Sequence, residues 1–139
     1  MKQEDKDLLL KDLCARLPYG VKVESVFINL DTKEHKSCGI EVFDATSILM
    51  IRDGLGEFKP YLFPLSSMTE EQKNELQKII YVETEMICNQ LKTNNYGIEA
   101  GKYHFNSTLQ VDWLNKNHFD YRGLIEKGLA IDATGLNIY

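Results

Sequence analysis

The chain has 139 residues, of which 43% are apolar and 27% charged, and its formal net charge is −5. These values are typical of a soluble globular domain and exclude a wholly disordered chain. The acidic excess argues against a protein that binds a nucleic-acid backbone, because such proteins need a basic surface. We therefore expect one domain over residues 1–139 and no nucleic-acid partner of that kind.

The first segment, 4–17, predicts an amphipathic helix. Its apolar side chains recur at helical spacing and share one face: Leu9, Leu10, Leu13, Cys14 and Leu17. Acidic residues precede them in the first turn, where the helix dipole favours negative charge. Pro18 and Gly20 then end the helix.

The next segments predict strands. Residues 21–30 alternate between apolar and polar side chains, with a phase shift at Ser25 that indicates a bulge. Residues 39–43 and 47–52 predict two more strands, the second apolar enough to be central. Two prolines make 58–65 an extended connector rather than a strand, because each removes a backbone donor.

Residues 69–92 predict the longest helix, with Thr69 as its N-cap and Gln72 as the capping-box partner. The polar segment 93–101 that follows predicts a mobile loop or an internal boundary.

Short helices are predicted beyond that loop. Ser107 can cap one of them and Asp120 another, and Gly128 is a left-handed residue that ends the second. The elements together predict an α+β fold. An N-terminal helix packs on a small antiparallel sheet of about three or four strands, with a curled SH3-like half-barrel as one form. A long central helix and short C-terminal helices cover the rest.

Motifs for cofactors, metals and nucleophiles are absent from the sequence. Gly54 and Gly56 form a Gly-x-Gly without the third glycine of a phosphate loop. The three cysteines form no Cys-x-x-Cys pair, and no two histidines have metal-ligand spacing. No apolar run approaches the ~20 residues that cross a bilayer, and the first residues lack the apolar part of a signal peptide. We expect no cofactor, no metal, no membrane association and a cytoplasmic location.

Glu83 falls inside the apolar stripe of the long helix, where a carboxylate is costly unless it is paired. Three interpretations stay open. The helix kinks there, or a buried cation such as Arg16 or Arg122 pairs with Glu83, or the carboxyl is a tuned acid or base in a pocket. The last interpretation predicts an enzyme with a dispersed site of Glu83, His104 and His118.

The segment 113–123 is the densest in aromatic and basic side chains. The candidate binding residues within it are Trp113, His118, Phe119, Tyr121 and Arg122. Aromatic rings beside arginine are typical of hot spots at protein interfaces and of platforms for single-stranded nucleic acids. The plainer alternative is that the rings fill the core where two short helices meet. A pocket for a small ligand is the third.

Several blocks resemble a group of small uncharacterised proteins from phages, prophages and mobile elements of gut Bacteroides-type bacteria. The blocks are 7–23, 59–71, 112–115, 119–125 and 128–130. Residues 24–57 and 72–108 match much less clearly. The resemblance implies a bacterial cytoplasmic setting and a mobile-element origin, but it implies no reaction and no site residue.

These observations predict a non-catalytic accessory or protein-interaction module, whose partner the sequence does not identify. A dispersed enzyme site and weak binding of single-stranded nucleic acid are the alternatives. The sequence specifies no catalytic residue and no oligomeric state.

Overall fold

The computed structural model describes the backbone of residues 1–93 and 108–139, and the side chains in these ranges except 83–84 and 86–93. The helices and strands of the described residues follow in chain order: α1 (Gln3–Arg16), β1 (Lys22–Ile28), β2 (His35–Val42), α2 (Ala45–Arg52), β3 (Gly56–Pro64), α3 (Glu70–Thr93), α4 (Thr108–Lys116), β4 (Phe119–Asp120) and β5 (Ile131–Asp132). The mixture of helices and strands confirms the α+β class and the N-terminal helix.

The chain divides into two compact units. The first comprises Met1–Ser67 and Asn115–Tyr139, and the second comprises the described part of Met68–Leu114. One domain over 1–139 stays a prediction. The predicted mobile loop 93–101 lies outside the described residues from position 94 onward.

A mixed sheet of five strands organises the first unit, in the order β2-β1-β3-β4 with β5 also on β3. β1 pairs antiparallel with both β2 and β3. β4 and β5 pair with β3 in parallel, through Phe63↔Phe119 and Tyr61↔Ile131. The prediction that the sheet is antiparallel throughout is therefore wrong, whereas the SH3-like half-barrel stays a prediction. Parallel strands are joined by a long crossover connection, so no short turn between them indicates their pairing in the sequence.

The register of the sheet is irregular at Ser25 as predicted, but the extra residue of the bulge lies on the partner strand β2. Ser25 lies opposite Gly39, whereas Val26 lies opposite Ser37, so Cys38 is the extra residue on β2. Gly39 has a φ of +79°, which glycine adopts without steric cost. Since β2 ends the strand order of the described sheet, the bulge twists an edge strand and discourages pairing with other chains.

The core of the first unit joins α1, the sheet and the C-terminal segment. It contains apolar side chains with no exposed surface from each of these parts: Leu13, Val21, Val23, Leu62 and Leu124. Phe43 and Phe58 add an edge-to-face ring pair with centroids 5.9 Å apart. Removal of this apolar surface from water is the dominant favourable term in the folding of such a unit.

The segment 47–52 is not a strand, because α2 covers it. The Oδ1 of Asp44 accepts hydrogen bonds from the Ser47 amide at 2.9 Å and from the Ser47 hydroxyl at 3.0 Å. This cap satisfies an N–H group that a helix would otherwise leave free at its start. A short apolar run is compatible with the period of a helix and with that of a strand, so the Asp44 cap is the sequence feature that favours a helix here.

The segment 58–65 is not a connector, because most of it belongs to β3, the strand that pairs on both sides. Pro64 is the last residue of β3. Pro60 is opposite Val23 at one end of the ladder with β1, and pairing with β5 begins only at Tyr61. A proline costs a strand little where one ladder ends and the other has not begun.

The prediction of a long central helix is not borne out. α3 belongs to the second unit, and none of its described side chains is buried, although Leu76 and Ile79 are half-buried. Its capping box is present, since Thr69 and Gln72 each accept the other's backbone N–H, at 3.2 and 2.9 Å.

Only one of the two short C-terminal helices forms. α4 covers most of the first, and Ser107 lies outside the described residues. Residues 121–130 form turns instead of the second helix. Asp120 accepts from the amides of Leu124 and Ile125, four and five residues on, whereas a helix N-cap bonds the second or third residue. Gly128 has the predicted positive φ, +71°.

Leu62→Ala tests whether β3 is the centre of the core. Leu62 has no exposed surface, so we expect a loss of about 3 kcal/mol in the free energy of unfolding. The same change at Leu49, which is 50% exposed on α2, should cost less than about 1 kcal/mol. Urea titrations followed by circular dichroism measure both, and equal losses would contradict the observed arrangement.

Candidate binding site

A buried ion pair on α1 is the first component of the site. Asp12 and Arg16 are four residues apart and therefore share a helix face. The side chains of both have no exposed surface, and the Nε and Nη2 of Arg16 donate to the two carboxylate oxygens at 2.7 and 3.1 Å. Two parallel charge-assisted bonds are the strongest form of this pair, and they offset part of the cost of desolvating both charges.

Arg16 also connects α1 to the parallel part of the sheet. Its Nη2 donates to the backbone carbonyl of Phe119 at 2.7 Å. The adjacent carbonyl, of His118, accepts from the Phe63 amide of β3 at 2.9 Å. One arginine therefore fixes the position of the short strand β4 relative to α1.

Tyr121 and Arg122 form the part of the site that reaches the surface. The guanidinium carbon of Arg122 lies 4.9 Å from the centre of the Tyr121 ring, and that of Arg16 lies 5.5 Å from it. The Tyr121 hydroxyl donates to the Asn115 side chain at 3.1 Å and accepts from the Nη2 of Arg122 at 2.8 Å. The ring is half-buried, and the Arg122 side chain is 16% exposed.

Arg122 extends the ion pair into a cluster of three charges. Its Nε lies 3.3 Å from the Oδ1 of Asp12, the same oxygen that accepts from Arg16. We call Asp12, Arg16, Tyr121 and Arg122 the arginine cluster. Both guanidinium groups contact the Asp12 carboxylate and the Tyr121 ring. The partly exposed residues Tyr121 and Arg122 are therefore fixed in position by the buried residues of the cluster.

The turn after β4 holds Tyr121 and Arg122 in this position. Asp120 is 8% exposed, and its two oxygens bond the amides of Leu124 and Ile125 at 2.9 and 2.8 Å. Gly123 has a φ of +69°, a conformation that glycine supplies without strain. Hydrogen bonds from these backbone amides to the Asp120 side chain therefore fix the loop. Asp120 forms no ion pair with either arginine of the cluster.

A stacked pair of rings lies beside the cluster. The rings of His118 and Tyr139 are 3.8 Å apart and nearly parallel, at 11°. His118 is 8% exposed and has a φ of +59°, unusual for a residue with a side chain. Burial lowers the pKa of His118 to about 4, with further contributions from the positive charges of Arg16 and Lys22. The imidazole is therefore neutral at pH 7.

The phenol of Tyr139 ties the C-terminal segment to the sheet. Its hydroxyl donates to the carbonyl of Tyr61 at 2.8 Å and accepts from the Lys22 amide at 3.0 Å. The Lys22 ammonium donates to the Ile138 carbonyl. Burial raises the pKa of Tyr139 to about 12, so the hydroxyl stays a donor under ordinary conditions.

The five predicted binding residues do not all lie together. His118, Phe119, Tyr121 and Arg122 belong to the first unit, whereas Trp113 belongs to the second. Trp113 is 9% exposed, and its indole N–H donates to Glu75 at 3.1 Å. Phe119 is 2% exposed, with its ring 6.3 Å from that of Phe63.

The sequence analysis missed Asp12, Arg16 and Tyr139 as components of the site. A signal existed for the first two. The buried face of α1 contains Leu9, Asp12, Leu13 and Arg16. Asp12 and Arg16 fall in the apolar stripe at i,i+4 spacing, which indicates a buried pair. No local pattern indicated Tyr139, because its partners are distant in the chain.

Two residues of the predicted dispersed enzyme site, the Glu83 side chain and His104, lie outside the described residues. Arg16 and Arg122, the predicted cations for Glu83, both contact Asp12, and their predicted pairing with Glu83 lies outside the described side chains. Across the described ranges, no group of three His, Cys, Asp or Glu side chains could hold a metal ion.

No protein-family model, curated protein or solved structure matches this chain. Among the described helices, none combines the length and the apolar character that a bilayer crossing requires. The function must therefore be inferred from the geometry of the site itself.

Arg16→Met tests the importance of the ion pair. The change leaves the Asp12 carboxylate buried without its principal partner, so we expect a loss of about 3–5 kcal/mol in the free energy of unfolding. Arg52→Met removes an exposed pair with Asp53 and should change stability by less than about 1 kcal/mol. Denaturant titrations at pH 7 compare the two, and a small effect of Arg16→Met would show that the pair is dispensable.

The His118 ring predicts a dependence of stability on pH. The folded pKa of about 4 lies below the ordinary 6.5, so the unfolded chain binds more protons between these values. Stability should be complete above pH 6.5 and fall as the pH decreases toward 4. The loss is at most about 3 kcal/mol and is reduced by solvent screening of the ring.

His118→Asn removes this titration and keeps a residue that tolerates positive φ. We expect the variant to lose less stability than the wild type between pH 6.5 and pH 4, as measured by urea midpoints at several pH values. Identical slopes in the two proteins would refute the assignment.

Proposed function

We propose that this protein is a non-catalytic interaction module that binds a protein partner through Tyr121 and Arg122. The resemblance of its sequence blocks supports an accessory role in a phage or mobile element. The observation that carries the proposal is the position of the Tyr121 ring, which contacts two arginines and remains half-buried.

Rigid aromatic and arginine side chains are the residue types that dominate binding energy at protein interfaces. They lose little conformational entropy when a partner binds if they are already fixed. Tyr121 is fixed by its hydroxyl bonds to Asn115 and Arg122, and Arg122 by its contact with Asp12. This pair is therefore preorganised for binding.

The same geometry gives less support to the other hypotheses. A stacking platform for single-stranded nucleic acid would use the Trp113 ring, and that ring is 9% exposed. His118 as a general acid or base would need a pKa near neutrality, and burial lowers it to about 4.

Tyr121→Ala should weaken partner binding by about thirty-fold or more, the effect of losing a hot-spot residue. The whole chain is immobilised and exposed to lysate of a Bacteroides-type bacterium that carries mobile elements. The captured protein is then purified, and its affinity is measured by calorimetry for the wild type and the variants.

Two variants serve as controls. Tyr81→Ala removes a 64% exposed tyrosine from the second unit and should leave the affinity unchanged. Tyr121→Phe keeps the ring but loses the hydroxyl bonds, so its effect should be intermediate. Full affinity in Tyr121→Ala, with the fold intact by circular dichroism, would refute the proposed surface.

A further inference from the structure

Among the residues that the structure describes, the arginine cluster contains two guanidinium groups and one carboxylate, and so carries one positive charge without a partner. The carboxylate, Asp12, has no exposed surface and contacts both Arg16 and Arg122. The nearby Asp120 bonds backbone amides, and no ion pair joins it to either arginine. Charged groups in such surroundings are normally paired, so this imbalance requires an explanation.

Unpartnered donors occur at the same place. Within the described residues, the Nη1 of Arg16 and the Nε of Arg122 are buried and have no hydrogen-bond acceptor. The Nε of Arg122 is 3.3 Å from Asp12 but is not aligned for a hydrogen bond. Buried polar groups that lack partners cost free energy and commonly indicate an absent ligand, ion or water.

The surroundings of the cluster add positive charge. Lys22 and Arg16 both lower the pKa of the neighbouring His118, which itself stays neutral. The whole chain nevertheless has a net charge of −5. The positive potential is therefore local to this site, and Arg122, with a 16% exposed side chain, connects it to the solvent.

We propose that the arginine cluster binds an oxyanion, and that this anion is a carboxylate from an acidic segment of the protein partner. Arginine is suited to this ligand because its planar group donates two parallel hydrogen bonds to a carboxylate or phosphate. The anion reaches the cluster at Arg122, whose side chain is 16% exposed, and neutralises the surplus charge that Arg122 shares with the buried Arg16. The identity of the anion deepens the proposed function and rests on it.

The three arginines of the chain provide an internal comparison, since Arg52 is exposed and paired only with Asp53. Their Nε–H signals are followed by nuclear magnetic resonance at pH 7. The additions are inorganic phosphate, a hexaglutamate peptide, and a hexaglutamine peptide of the same length, at constant ionic strength. We expect saturable shifts of the Arg122 and Arg16 signals with phosphate and with hexaglutamate, and no saturable shift of Arg52.

Matched variants separate a specific site from general charge attraction. Arg122→Gln and Arg52→Gln remove the same charge, but only the first should weaken hexaglutamate binding, by about ten-fold or more. Arg122→Lys keeps the charge without the planar group, so it should recover only part of the affinity. Equal shifts at all three arginines, or no shift at any, would overturn the proposal in favour of a buried water at these donors.

The remaining outcomes distinguish this proposal from the proposed function. If phosphate shifts the signals and hexaglutamate does not, the partner's carboxylate is excluded as the ligand. If an oligonucleotide of six nucleotides binds more tightly than hexaglutamate, the acidic protein partner is likewise excluded. If Tyr121→Ala abolishes partner binding while Arg122→Gln has no effect, the interaction module stands and the oxyanion site fails.

Discussion

The structure of the first unit depends on the contacts of one buried cation, Arg16. Its guanidinium bonds both oxygens of Asp12 and the carbonyl of Phe119, and it lies over the ring of Tyr121. A charge without exposed surface must find such partners, because desolvation without them would exceed the stability of a small domain. Because Arg16 must keep these partners, the position of α1 relative to β4 is fixed. The residues that follow β4 in the chain are held in place by the same contacts.

This constraint also fixes the irregular segment that contains the proposed binding residues. Residues 121–130 form no helix or strand. Their conformation is instead fixed by the hydrogen bonds that Asp120 accepts from the loop amides and by the positive φ of Gly123 and Gly128. Loops of this kind can present binding side chains when a rigid scaffold holds them. Here the scaffold is the parallel pair β3–β4, which Arg16 of α1 contacts through its hydrogen bond to the Phe119 carbonyl.

The sequence predicted the parts of this fold that local patterns determine. The helix α1, the bulge at Ser25, the capping box at Thr69 and the positive φ of Gly128 were all apparent from spacing and residue type. The parallel pairing of β4 and β5 with β3 was not, because each of these strands has two residues and no local pattern gives the direction of its pairing. The sequence singled out Tyr121 and Arg122 as candidate binding residues, but not Tyr139 and its distant partners, since no short-range pattern encodes such a contact.

The overall charge of the chain does not describe the local charge of the arginine cluster. The balance of 16 basic and 21 acidic residues argues against binding of a nucleic acid, whose many phosphates would be repelled by the rest of the surface. The balance does not exclude one anion at a point where two guanidinium groups share a single carboxylate. A nucleic acid presents a long row of phosphates and needs an extended basic stripe, whereas a short acidic segment of a protein can place a single carboxylate at the cluster. The combination of a locally positive cluster and an acidic chain therefore favours a protein partner over a nucleic acid.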